Sequence, residues 1–193
     1  MVEDKMIVGV LALQGAFIEH QKSLAACGVE SIQVRKPEQL PGIQGLIIPG
    51  GESTTMGKLM HQFELFEPIR ELGRQGVPIF GTCAGMIMLA KEIAGSDQPR
   101  LALMDIAVER NAFGRQVESF ETDLAVPDLG EEPLRAVFIR APYIKSTQNH
   151  VHVMATFVDK IVLARQDNYL AAAFHPELTR DVRLHRYFLD MIQ

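Results

Sequence analysis

Three short apolar runs, each leading into a helix-like pattern, constrain the fold of this chain most. Met6–Leu13, Gly45–Pro49 and Val77–Gly81 read as buried strands. The patterns after them read as helices: Gly15–Cys27 with Gly28 in the stop position, Ser53–Gly73 as one or two helices broken near Pro68, and Cys83–Ile93 ending at Gly95. Ser31–Val34 adds a short strand. Apolar strands alternating with helices predict βαβ units and a parallel sheet covered on both faces. The second half reads differently. Ile106–Glu109, Val117–Val126, Leu134–Arg140, Val151–Phe157, Lys160–Arg165 and Tyr169–Phe174 all read as strands, with a hairpin turning at Asp159-Lys160. A last helix carries Leu184, Phe188, Met191 and Ile192 as one apolar stripe. The expectation is a mixed sheet within one domain spanning 1–193, a length within the roughly 100–200 residues of a typical domain.

Composition excludes several classes of function. The chain is 47% apolar and 22% charged, an ordinary globular mixture, with a formal charge of −5 and no basic run to grip phosphates. No nucleic-acid partner is expected. The run Met6–Leu13 is too short for a membrane span of about 20 residues and lacks the flanks of a secretory leader. The expectation is therefore a soluble cytoplasmic protein with no membrane contact. Cys27 and Cys83 could in principle form one disulfide, but without a leader two reduced thiols are the better reading.

The strongest chemical signal is Phe80-Gly-Thr-Cys-Ala-Gly-Met86, a G-x-C-x-G pattern between an apolar strand and a helix. It is the cysteine form of the nucleophile elbow, a tight turn that thrusts one side chain outward while glycines let neighbouring backbones approach. A helix N-terminus at Cys83 favours thiolate, and the N–H of Ala84 is placed to bind a developing oxyanion. Of six histidines, His175 stands apart, because it ends an apolar strand where open α/β sheets place their sites. Glu177, two residues on, can orient the imidazole. In Leu46-Ile-Ile-Pro-Gly-Gly-Glu-Ser-Thr-Thr55 a buried strand ends in a diglycine ahead of a helix cap at Ser53 or Thr54. The N–H of Gly51 is the simplest second oxyanion donor. A phosphate-loop reading fails, since Gly51 and Gly57-Lys58 are wrongly spaced and Leu59 replaces the needed hydroxyl.

Together, Pro49–Thr55, Gly81–Gly85 and His175–Glu177 resemble the class I, triad-type glutamine amidotransferases. More narrowly, the chain resembles the glutaminase subunits of pyridoxal 5′-phosphate synthases, to which Gly51–Thr55, Glu109–Asn111 and Ile139–Pro142 point, with further matches at Gly9–Gly15, Ala90–Ser96, Val108–Asn111, Phe113–Val117, Phe138–Pro142 and Phe174–Leu178. The resemblance runs from about Ile7 to Ile192. It implies a three-layer α/β/α fold with a mostly parallel central sheet and a strand-rich second half. It also implies hydrolysis of L-glutamine to glutamate and ammonia, with the ammonia passed to a separate (β/α)8-barrel synthase subunit. On this resemblance Cys83 is the nucleophile, His175 the general base and acid, and Glu177 its orienter. Gly51, Glu52 and Ser53 match the glutamine-binding loop, and Arg110, Ile139 and Arg140 match the other substrate-binding positions. No cofactor and no metal are implied. Either Arg110 or Arg140 suits the substrate α-carboxylate.

Other residues carry less. Gln14 either adjusts the oxyanion loop, meets the partner or is a structural amide. Cys27 reads as a core thiol, His150-Val-His152 as a surface strand without enough further ligands for a metal, and the methionines as core filling. The resemblance implies a subunit weakly active alone and switched on by its partner, docking near the site mouth and Gln14–Ile18. Competing readings are a glutaminase serving another synthase, a free-standing cysteine hydrolase on a similar fold, and a binding subunit without turnover.

Overall fold

The structure is a computed structural model and describes residues 5–111 and 118–192. In chain order it builds β1 (Ile7–Leu11), α1 (Phe17–Ala26), β2 (Glu30–Val34), β3 (Gly45–Ile48), α2 (Ser53–Gln62), α3 (Phe66–Arg74), β4 (Ile79–Thr82) and α4 (Ala84–Leu89). There follow β5 (Ala90–Ile93), β6 (Met104–Glu109), β7 (Ser119–Leu124), β8 (Leu134–Ile139), β9 (Tyr143–Thr147), β10 (His152–Phe157), β11 (Lys160–Gln166), β12 (Tyr169–Ala172) and α5 (Arg183–Asp190). Val117, predicted to open a strand, and the matching segment Phe113–Val117 lie outside the described residues, apart from the strand's continuation in β7.

The main sheet runs β2-β1-β3-β4-β12-β11-β9-β6-β5, with β10 pairing β11. The strands from β2 through β12 are parallel, and β11 with its neighbours β12, β10 and β9 is antiparallel. This is the mixed sheet expected from the change of pattern halfway along the chain. β7 and β8 pair as a separate two-stranded unit.

Alternation along β4 separates the layers. Phe80 packs on His20 of α1 and on His185 and Phe188 of α5. Ile79 and Gly81 face the other way, against Gly73 of α3 and against Gly85 and Leu89 of α4. Helices therefore cover both faces, and the apolar side chains between them form one continuous core around Phe80, Phe138, Phe174 and Phe188. Among the described residues no helix is long and apolar enough to cross a membrane.

Four local expectations need correction. The helix predicted over Cys83–Ile93 stops at Leu89, and the chain continues as β5, parallel to β6. Every residue from Ala84 to Ala90 is buried, so periodicity there cannot separate helix from strand. Pro68 does not break a helix. It sits in the first turn of α3, where its missing N–H has no intrahelical partner to lose. The break falls at Phe63–Leu65, where Glu64 takes φ 54°. β9 was not foreseen, because only Ile144 within it is buried and its order comes from pairing with β6 and β11. The last strand ends at Ala172, so Ala173, Phe174 and His175 form the loop beyond it.

Candidate active site

β3, β4 and β12 are parallel neighbours that end on one edge of the sheet, with Ile48 beside Gly81 and Thr82 beside Ala172. The site lies just past these carboxyl ends, where open α/β sheets bind their ligands. β4 delivers Cys83, β12 delivers His175 and β3 delivers Gly50-Gly51.

Cys83 takes φ 50° and ψ −105°, a left-handed conformation unusual for a residue with a Cβ. Its surroundings leave little alternative. Its N–H donates to the Ala172 carbonyl at 2.8 Å. A Cβ on Gly81 would come within 2.5 Å of the Gly85 backbone, and one on Gly85 within 2.0 Å of the Ile48 carbonyl oxygen. Both glycines of the G-x-C-x-G pattern are thus required by close approach of backbones, as the elbow reading expected.

His175 and Glu177 are both buried, and Nδ1 of the imidazole lies 2.7 Å from Oε1 of the carboxylate. The 3₁₀ turn Pro176–Leu178 curls the carboxylate back under the ring. The N–H of His175 donates to the Val137 carbonyl of β8 at 2.8 Å, tying this loop to the β7–β8 unit. Burial alone would lower the His175 pKa. Its hydrogen bonds to Cys83 and Glu177, and their negative charges, outweigh that and push it up to about 10. A Cβ on Gly50 would lie 2.4 Å from His175 Cε1 and 3.3 Å from Cys83 Cβ, so the diglycine lets the β3 loop close over both groups.

A cleft of about 520 Å³ opens over these side chains. Cys83, Ala84 and His175 line it, as do Gly51, Glu52 and Ser53. Arg110, Ile139 and Arg140 line it too, together with Asn111 and Pro142. Every residue singled out for catalysis or substrate binding therefore converges on one cleft, except Glu177, which sits behind His175. Both arginines reach the cleft, and Arg140 and Asn111 also take positive φ, at 42° and 53°.

The cap of α2 is Glu52, not Ser53 or Thr54. Its carboxylate accepts from the N–H groups of Thr54 and Thr55 at 3.0 and 2.7 Å. Burial would raise the Glu52 pKa, but the hydrogen bonds from Thr54 and Thr55 bring it down to about 2. Ser53, displaced from the cap, donates instead to Gln98 Oε1 at 3.4 Å, and Arg110 donates to the same oxygen at 2.9 Å. Gln98 thus joins Ser53 to Arg110, both of which line the cleft. Nothing local in the sequence marks it, because its partners lie 45 and 12 residues away. Ile87, one turn past Cys83, also lines the cleft and was not singled out.

Gln14 brackets the backbone of Glu52, donating to its carbonyl and accepting from its N–H, both at 3.3 Å. The Gly50 carbonyl accepts from the Ala16 N–H at 3.2 Å, and Gly51 takes φ 155°. The β1–α1 loop therefore holds the loop that carries Gly51. Elsewhere, Cys27 is unpaired but only half-buried at the end of α1, less enclosed than a core thiol. His150 and His152 are exposed and pair with different carboxylates, Asp105 at 2.7 Å and Asp128 at 2.9 Å.

The fold and this elbow, imidazole and carboxylate define an α/β protein like the class I glutamine amidotransferases. At 16% identity, the structure of PurLQS from Thermotoga maritima shares the fold with a TM-score of 0.72, covering 98% of this chain and 100% of that one. Residues 10–193 match the SNO glutamine amidotransferase family, and the chain belongs to it. A solved structure described as a glutamine amidotransferase is 53% identical, with a TM-score of 0.91 over 96% of this chain and 98% of that one. Pyridoxal 5′-phosphate synthase subunit PdxT of Desulforamulus reducens is 77% identical over 188 residues, covering 97% of this chain and 100% of the relative. The protein of the same name from Pelotomaculum thermopropionicum is 72% identical, over 96% and 94%.

Proposed function

We propose that this chain hydrolyses L-glutamine to L-glutamate and ammonia and supplies the ammonia to a (β/α)8-barrel synthase subunit that makes pyridoxal 5′-phosphate in the cytoplasm. The observation that carries the chemistry is the contact of a buried imidazole with a buried carboxylate, at 2.7 Å, beside a thiol at a strained strand-to-helix turn. The names of the 77% and 72% identical relatives carry the pathway.

With its pKa near 10, His175 is an imidazolium at neutral pH. The Cys83 thiolate attacks the side-chain amide carbon and forms a C–S bond. The carbonyl π electrons move to oxygen, which the N–H groups of Ala84 and Gly51 stabilise. His175 gives its proton to the departing nitrogen, the C–N bond breaks and ammonia leaves. Neutral His175 then takes a proton from water as the oxygen adds to the thioester. The tetrahedral species collapses, the C–S bond breaks and glutamate leaves, restoring thiolate and imidazolium. Glu177 keeps the imidazole oriented and offsets its charge. Gly51, Glu52 and Ser53 form the glutamine-binding loop, and Ile139 contributes to the same cleft. Arg110 or Arg140 pairs with the α-carboxylate.

Exposed Ile18 on α1 and Leu178 in the turn after His175 suit a docking partner at this end of the molecule. A partner gripping the β1–α1 loop would act on Gly51 through Gln14. The test is covalent trapping with a glutamine analogue bearing an electrophile at the side-chain carbonyl. The expected result is one adduct, mapped to Cys83 by mass spectrometry and suppressed by L-glutamine. Labelling at Cys27 instead, or labelling indifferent to glutamine, overturns the reading.

A further inference from the structure

The oxygen of Glu177 that does not meet His175 faces a second histidine. Oε2 is buried and makes no hydrogen bond at normal geometry, yet His20 Nε2 lies 3.5 Å away. His20 comes from α1 and is fully buried. The same Nε2 is 3.0 Å from Thr82 Oγ1, next to the elbow cysteine, and its Nδ1 is 2.9 Å from Nε2 of His185 on α5. His185 is also fully buried, and its own Nδ1 has no partner. A line of buried polar groups thus runs from His175 through Glu177 and His20 to His185, and the mechanism above uses only its first two members.

Counting protons orients this line. Burial, then the neighbouring His185 and His175, hold the His20 pKa well below its ordinary value, and burial brings His185 down to about 4. Both rings are therefore neutral at pH 7, each with one donor and one acceptor. If His20 carried its proton on Nδ1, its Nε2 lone pair would face the Glu177 carboxylate. His185 would then accept at Nε2 and leave its Nδ1–H as a buried, unpaired donor. With the proton on Nε2, His20 donates towards Thr82 and Glu177 and accepts at Nδ1 from His185. Thr82 Oγ1 then accepts from His20, and on His185 an acceptor lone pair is left over. The buried Glu177 oxygen 3.5 Å from Nε2 decides between the two, since a carboxylate repels a lone pair and attracts an N–H.

We propose that His20 is a positioning residue of the triad, its Nε2–H, held by Thr82, presenting its positive edge to the second oxygen of Glu177 so that the first stays aimed at His175. It touches neither substrate nor reacting atoms and acts through the carboxylate. The wild-type protein gives the first test, by nitrogen-15 NMR of the histidine rings with through-bond assignment. His20 is expected as the neutral Nε2–H tautomer, and an Nδ1–H or charged His20 overturns the proposal.

The second test rests on the glutaminase reading and uses steady-state glutamine hydrolysis with the synthase subunit present. His20→Leu should lower kcat by about 10- to 100-fold, the scale of a slightly misplaced catalytic group, with KM for glutamine little changed. His20→Gln, whose amide N–H reaches the Nε2 position, should recover most of the loss, and His20→Asn, which is too short, should not. Unchanged kcat in folded His20→Leu, or equal losses in the Gln and Asn variants, overturns it. Should His20→Leu fail to fold, the Gln and Asn pair and the wild-type spectrum decide. Absence of glutaminase activity in the wild type would reject the glutaminase reading and leave the tautomer test standing.

Discussion

Glu177 and His175 are 6% and 7% exposed, and neither could be charged at that depth without the other. Their pairing sets unequal costs for removing each. His175→Ala strands a buried carboxylate and should destabilise the fold by about 3–5 kcal/mol. Glu177→Gln keeps a polar group in place and should cost less, while slowing glutamine hydrolysis by about 10²–10⁴-fold. Urea denaturation of both variants, beside their turnover, checks this. Glu52 makes a pH prediction. Its carboxyl is brought from an ordinary 4.5 down to about 2, so the native state binds protons less readily than the unfolded chain. The cap's stabilisation is full above about pH 4.5 and disappears as pH falls through about 2. Because the side chain is exposed, Glu52→Gln should cost only about 0.5–1 kcal/mol at pH 7. That difference should vanish near pH 2, as thermal melts at the two pH values would read. Residues of the site were legible where their partners are close in sequence, as in Gly81-x-Cys83-x-Gly85 and His175-x-Glu177. Gln98 and His20 were not, since each meets its partners only after strands far apart have paired.

The elbow connecting β4 to α4 depends on contacts that no side chain can share. A Cβ on Gly85 would press 2.0 Å from the Ile48 carbonyl oxygen, a backbone atom that cannot swing aside. Gly85→Ala should therefore cost about 3 kcal/mol or more and abolish labelling of Cys83, whereas Gly28→Ala meets no atom within 4 Å and pays only for its positive φ. Comparing melting temperatures and Cys83 labelling of the two variants tests the difference. β1, β3 and β4 of the first half were readable as apolar runs, and the helices after them from their turn signals. Where the signal failed, a neighbour decided the outcome. Ala90–Ile93 becomes a strand because β6 lies beside it, and Tyr143–Thr147 because β6 and β11 do. Such pairing leaves no periodicity in the sequence to read.

In the whole molecule, the parallel half of the sheet gathers the site at one edge, and the β1–α1 loop ties it to an outer surface. Gln14 grips Glu52 on both backbone groups, so displacement of that loop would be felt at Gly51. Gln14→Ala should leave the fold intact and blunt activation by the synthase more than it changes the basal rate, as turnover with and without the partner would reveal. The most direct test of the central claim is release of glutamate from glutamine, measured with the purified chain alone and with a pyridoxal 5′-phosphate synthase barrel subunit, for wild type and Cys83→Ala. The account predicts release that rises strongly with the partner and vanishes in the variant. Equal release with and without the partner, or release that survives Cys83→Ala, would contradict it.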